Sequence, residues 1–298
     1  MKYLLIIFSL LFYQGLFAQN SDSSSFNIQS YTPSVLLKKQ QWEYKFFNNL
    51  YTQRANYDAK SIRNNSSSRG NYFTSINQFL YGLSRTINIG ADVWVKSVRI
   101  DASSSSPLKL FKFAGAPSSR TSLGYIGPKI KIAPFKQLDH LSIQSTFLIP
   151  IAKDMEGSAS IAGSKNDRPF LESDRYLWIT QFFYDQPLGN NFNLFFQFAP
   201  WVSIDRSLEK GGSNLATPTS VFFSYFAGSR LTLYAQSEIW PTYGSKKLIS
   251  SFFVQSGLGV KFQAIPGLLE MEALYTNFWI GKNSGAGQTF NFGIRLIH

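Results

Sequence analysis

The chain has 298 residues, no cysteine and a formal net charge of +12, so disulfide frameworks, a lipoprotein cysteine, thiol catalysis and cysteine metal sites are all excluded. Aromatic residues make up 16% of it, with Phe 28, Tyr 15 and Trp 6 against Met 3, and serine, asparagine and glycine are abundant. That is a vocabulary of strands and turns, and the length suits one large β domain. The basic residues are scattered and form no stripe or motif, so the charge does not point to nucleic acid.

In chain order, residues 1–18 carry Lys2, the apolar run "YLLIIFSLLFY", then Gly15 and Ala18 before a polar stretch, the pattern of a secretory signal peptide cleaved near Ala18. A membrane anchor is the weaker alternative, because the run falls short of the ~18 to 20 residues of a spanning helix. Residues 19–41 read as a short N-terminal segment in which "NSDSSS" is low-complexity linker. Its "SYTPSVLLKKQ" is read as a tether into the first strand in preference to a partial plug.

Residues 42–298 divide into about twelve strand-like segments of roughly ten residues, with no helical periodicity. They run from Trp42 to Thr52, Tyr72 to Leu83, Ile87 to Arg99, Thr121 to Pro134, Leu141 to Ile151 and Tyr176 to Asp185. They continue from Phe192 to Ile204, Thr217 to Phe226, Leu231 to Pro241, Ser251 to Ala264, Leu268 to Ile280 and Thr289 to Ile297. The joins alternate: long and polar at Gln53 to Asn71, Ile100 to Arg120, Ala152 to Arg175 and Asp205 to Ala216, but tight at "SRT", "FKQLDH", "QPLGNN", "AGSR" and "IPG". Each strand puts aromatic and aliphatic residues on one face, as Phe192, Leu194, Phe196 and Phe198 do, and small or neutral polar residues on the other. A soluble sandwich or propeller would leave that apolar face as a large exposed patch. The expected fold is therefore all-β, a transmembrane antiparallel up-and-down β-barrel of about twelve strands with both termini periplasmic.

The closing stretch "TFNFGIRLIH" sharpens this. Over nearly its whole mature length the chain resembles the outer-membrane β-barrel proteins of diderm bacteria, whose C-terminal assembly signal has a polar residue, a glycine two positions on, and apolar or aromatic positions three and five beyond it. Asn291, Gly293, Leu296 and His298 occupy those places, with histidine where the family usually ends in an aromatic such as phenylalanine. The resemblance implies insertion by the barrel assembly machinery into a cell outer membrane, with outer-membrane lipid and lipopolysaccharide as surroundings.

By parity, Glu270 and Glu272 point inward, and the "IPG" turn puts Lys261 near Glu270. Arg295 is expected near Glu272, and barrel closure brings in Glu43 and Lys45. These six form a predicted charge network at the closing seam, read as compensating ion pairs in preference to a selectivity constriction because the signs balance. Other inward candidates are Asp92, Lys96, Lys129, Lys131 and Glu238, with Phe195, Trp201, Phe222 and Tyr234 among them. Trp94, Trp178, Trp201, Trp240 and Trp279 are candidates for interfacial girdles. Basic tips, with Arg54, Lys60, Arg63 and Arg69 in the first loop and Lys109, Lys112 and Arg120 in the second, would draw anionic solutes or meet lipopolysaccharide phosphates. The two histidines, His140 and His298, fall at the periplasmic end without a partner motif, so no enzyme, cofactor or metal is expected. The expected role is a porin-like channel or passive transporter for small solutes, the alternative being a scaffold or binding barrel without an open pore.

Overall fold

The computed structural model describes residues 34–298 apart from 103–104, 109–118, 136, 139, 153–168, 170, 172–173, 207–213 and 245–246. The expected leader, most of the 19–41 segment, Lys109 and Lys112 lie outside the described residues.

The described strands are β1 (Trp42–Tyr57), β2 (Arg63–Gly82), β3 (Ile87–Ala102), β4 (Ser119–Ile132), β5 (Leu141–Pro150), β6 (Arg175–Leu188) and β7 (Phe192–Phe198). After them come β8 (Trp201–Asp205), β9 (Asn214–Ala216), β10 (Thr219–Phe226), β11 (Leu231–Gly244), β12 (Lys247–Ile265), β13 (Leu269–Lys282) and β14 (Ser284–Ile297). Strands β7 and β8 are two pieces of one stave, interrupted at Pro200, and β9 and β10 are two pieces of the next, interrupted at Pro218. Proline has no N–H to give to a ladder, but its carbonyl still accepts. The Ala199 N–H donates to the Pro218 carbonyl at 2.9 Å and the Thr217 N–H to that of Pro241 at 3.0 Å, so the staves stay joined across the breaks.

Counted as staves there are twelve, each antiparallel to its sequence neighbours, and β14 pairs back onto β1 to close the barrel. The seam runs from Glu43↔Ile297 to Tyr57↔Ser284, and Trp42 and His298 exchange backbone hydrogen bonds of 2.8 and 2.9 Å beyond it. Closure leaves no edge, so each strand's backbone groups find partners without water.

Residues paired directly across antiparallel strands share a face, so the register carries inward and outward assignments round the barrel. The outer face exposes Phe79, Ile89, Ile126, Phe147, Trp178, Phe198, Phe223, Leu233, Leu258, Met271, Phe290 and Phe292, an apolar belt on every side. The inner face buries Asp92, Lys96, Lys129, Lys131 and Glu238.

One join expected to be long is mostly ladder. Strand β1 continues to Tyr57 and β2 begins at Arg63, so the span from Gln53 to Asn71 is a projecting hairpin. Strands β13 and β14 meet at the single residue Asn283, whose φ of 48° turns the chain. At about 3.3 Å per residue, the 20 residues of β2 far exceed the roughly 10 that cross a bilayer core. The end bearing Trp42 and His298 is here called the terminal end, and the opposite one the hairpin end.

Candidate functional site

The terminal half of the lumen is a charged floor. Around the seam the Arg295 Nε donates to Glu43 Oε2 at 2.5 Å, and both side chains are nearly sealed from solvent. Glu43 sits one inward pair below Lys45↔Arg295, so the two meet diagonally. Lys261 reaches Glu272 at 3.8 Å, and the Tyr234 hydroxyl donates to the same Glu272 Oε1 at 2.5 Å. On the far wall Lys129 pairs with Asp92 at 2.5 Å, and Gln78 donates to the other Asp92 oxygen at 3.3 Å.

Two expected partnerships are displaced by one inward pair. Lys261 is in register with Glu272 and not with Glu270, whose partner across the "IPG" turn is Gln263. Arg295 is in register with Glu270 and bonds Glu43 where Glu272 was expected. All six seam charges nevertheless face one interior, and Lys45, Lys261, Glu270, Glu272 and Arg295 line a cavity of about 140 Å³ with Phe195, Phe222 and Tyr234. Its size is below the ~300 Å³ at which drug-sized ligand pockets begin.

The floor is filled by the chain's own N-terminal side. Ser34 is buried and donates its hydroxyl to Asp185, while Lys131 donates to the Val35 carbonyl at 2.8 Å and lies 5.6 Å from the Phe183 ring centre. Leu37 packs with Leu80 and Ile297. Residues 34–37 thus enter the barrel, where the sequence reading preferred a tether.

Above the floor, Glu238 accepts from Gln255 at 2.5 Å, and Thr276 donates to Gln255 at 2.6 Å. Lys96 lies over the rings of Trp94 and Tyr125 at 5.7 and 5.8 Å. Next comes a tier of aromatic rings. Tyr72 stacks on Tyr51 (5.7 Å), Tyr51 on Phe278 (5.1 Å), Phe278 on Phe253 (4.4 Å) and Phe253 on Trp240 (5.8 Å). Trp240 meets Trp201 edge-on at 5.1 Å, and Trp201 reaches Trp94 at 6.1 Å. That last contact joins β8 to β3, which are not neighbours, so the rings cross part of the lumen.

At the end of the chain Phe292 and Phe290 are exposed on the outer face, with Leu296 on the same side by register, while Asn291 and Gly293 face inward. Asn49 donates to Asn291 across the seam at 2.6 Å. His298 stacks on Trp42 with centroids 5.6 Å apart and an angle of 15° between the planes. The other histidine, His140, stands in the exposed turn between β4 and β5.

An outer-membrane channel from Pseudomonas putida F1 shares this architecture, with a TM-score of 0.62 over 94% of this chain and 100% of that one at 8% identity. The fold is that of an outer-membrane β-barrel. Within the same fold, the β domain of the Bordetella autotransporter BrkA matches with a TM-score of 0.51 at 12% identity, covering 87% of this chain and 99% of that one. No family model and no curated protein matches the sequence.

For an outer-membrane barrel the tryptophans divide in an unexpected way. Trp178 and Trp279 are exposed on the outer wall, each donating its ring N–H to a serine, Ser145 and Ser256. Trp94, Trp201 and Trp240 belong instead to the interior tier, which corrects their reading as girdle residues. Parity was the available signal for Trp94, because it lies two residues from inward Asp92 and two from inward Lys96. Asp185 was missed as a site residue although parity also aims it inward with Phe183. It is buried and accepts from Asn193 at 2.7 Å as well as from Ser34.

Proposed function

We propose that the chain is an outer-membrane porin-like channel or passive transporter for small solutes, closed in this conformation at its floor by residues 34–37. The observation that carries the reading is the floor itself, where Glu43, Asp92, Asp185, Glu270 and Glu272 are set among Lys45, Lys129, Lys131, Lys261 and Arg295, and six of these ten, Lys45, Asp185, Lys261, Glu270, Glu272 and Arg295, line a cavity of about 140 Å³. A barrel that only had to be filled could use apolar side chains and avoid the desolvation of ten charges. The shared fold with the Pseudomonas channel supports the same reading.

On this reading the terminal end faces the periplasm, residues 1–18 direct export, and residues 19–41 are a periplasmic segment whose end reaches into the barrel. Asn291, Gly293, Leu296 and His298 are read by the assembly machinery, and lipid and lipopolysaccharide surround the apolar belt. A second reading, a scaffold or binding barrel without a pathway, is favoured by the Trp94–Trp201 contact across the lumen.

One experiment separates them: planar-bilayer recording of the full-length protein and of a form lacking residues 19–37, in a salt gradient. Discrete conductance steps that grow larger or more frequent without the segment are expected. Silence from both proteins at every voltage removes the channel reading and leaves the scaffold.

A further inference from the structure

On the outer wall at the hairpin end, the β1–β2 pair carries a wide irregularity. Gln53 pairs with Gly70 and Ala55 with Asn65, so Ser66 to Arg69 on β2 stand against the single Arg54 on β1. The extra residues swing Arg69 across the wall, where its Nη1 donates to Thr52 at 2.8 Å. Arg69 is 91% buried, and its Nε has no hydrogen-bond partner. Together with Arg54 and Arg63, both exposed, it lines a cleft of about 330 Å³ that also takes in Trp279 and Gln288 and contains no carboxylate.

The nearby acids are engaged elsewhere. Asp101, in register with Arg69, is bound by Arg99 at 2.7 Å, and Asp58 accepts the backbone N–H groups of Lys60 and Ile62. Three guanidinium groups therefore converge on a cleft without a counter-charge among the described residues, and one of them presents a buried, unsatisfied donor.

The height of the cleft says what kind of anion fits. Outward positions on β14 run Leu296, Ile294, Phe292, Phe290 and then change to Gln288, and on β1 Phe46 and Leu50 give way to Thr52 and Arg54. The cleft begins where the apolar belt stops, beside the exposed indole of Trp279. That is the level of lipid headgroups, where tryptophan is favoured. We propose that this cleft seats the phosphate of an anionic membrane lipid, with Arg69, Arg54 and Arg63 as its ligands. Arginine suits the task because its fork of donors matches phosphate oxygens. The proposal rests on the membrane-barrel reading and is independent of whether the lumen conducts.

The test is native mass spectrometry of the full-length protein released from nanodiscs of phosphatidylcholine doped with diphosphorylated lipid A or with its dephosphorylated form. Inorganic phosphate is titrated as a separate probe. The wild type is expected to retain the phosphorylated lipid, with retention falling on the order of tenfold in Arg69→Gln. Arg54→Gln and Arg63→Gln alter exposed side chains and remain informative if Arg69→Gln fails to fold. Equal retention by the wild type and by both exposed variants would overturn the site, as would equal retention of the dephosphorylated lipid. Binding of inorganic phosphate as tight as that of the lipid would overturn the lipid as its source. Loss of conductance in the bilayer experiment would leave this result untouched, so the two readings fail separately.

Discussion

At the residue scale the Glu43–Arg295 pair shows how the seam is fastened. Removing one partner of a sealed ion pair strands the other charge, which costs about 3 to 5 kcal/mol. Arg295→Gln is therefore expected to lower urea stability by a few kcal/mol, and Glu43→Gln in the same background to recover part of it, a coupling that a double-mutant cycle of refolding measures. Strictly additive effects would show the pair to be solvated and unimportant. Gly293 makes the opposite case. A methyl group there would meet Glu272 Cβ and Phe47 at 3.6 Å, ordinary contact, so the folded wall does not require glycine. Gly293→Ala should leave refolding stability within about 0.5 kcal/mol while slowing insertion in cells, if the assembly machinery reads that position. Normal insertion of the variant would show that the glycine is not read. Parity made the inward charges legible in the sequence, but their partners were not: Lys261 stands opposite Glu272 where Glu270 was expected, and a difference of two residues leaves no mark on alternation.

At the element scale the informative pieces are the entering segment and the hairpins. Leu37 is buried against Leu80 and Ile297, and Gly82 lies so close to the Lys38 carbonyl that an added Cβ would overlap it at 2.0 Å. Leu37→Asp puts a charge into that apolar contact, a penalty that moving the segment out of the barrel relieves. Faster tryptic cleavage at the exposed Lys38 and Lys39 is expected, together with larger conductance in bilayers. Unchanged cleavage would mean that Ser34 and Val35 hold the segment without Leu37. Its short apolar run was too brief to announce a lumenal contact, since the partners Lys131 and Asp185 lie 96 and 151 residues away. The hairpins were hidden for a different reason. Beyond the apolar belt both faces of a strand meet water, so the residues from Gln53 to Asn71 lose the two-residue period while the ladder continues to Tyr57↔Arg63. Strand counting survived, because each stave keeps its alternation where it crosses the belt, even where Pro200 and Pro218 break the ladder.

At the scale of the whole barrel, two closures stand in series, the charged floor with its entering segment and the aromatic tier beyond it. The floor is balanced in sign, so a pathway through it is expected to discriminate weakly between small cations and anions. In a conducting lumen the tier is expected to act by a different mechanism, as apolar constrictions do when they dewet. Trp201 is the member that touches both Trp94 and Trp240, and the packed cluster of Trp94, Tyr125, Leu148 and Leu177 behind it holds that side of the wall. Trp201→Ala leaves that cluster in place and removes the link across the lumen. If the lumen conducts, the variant should raise single-channel conductance further in the form lacking residues 19–37 than in the full-length protein, because with the floor open the tier becomes the larger resistance. Equal increments in both backgrounds would mean that the tier is already bypassed. No increment in either would place the pathway, and any selectivity, at the floor alone, where Arg295→Glu would then shift the reversal potential toward cations.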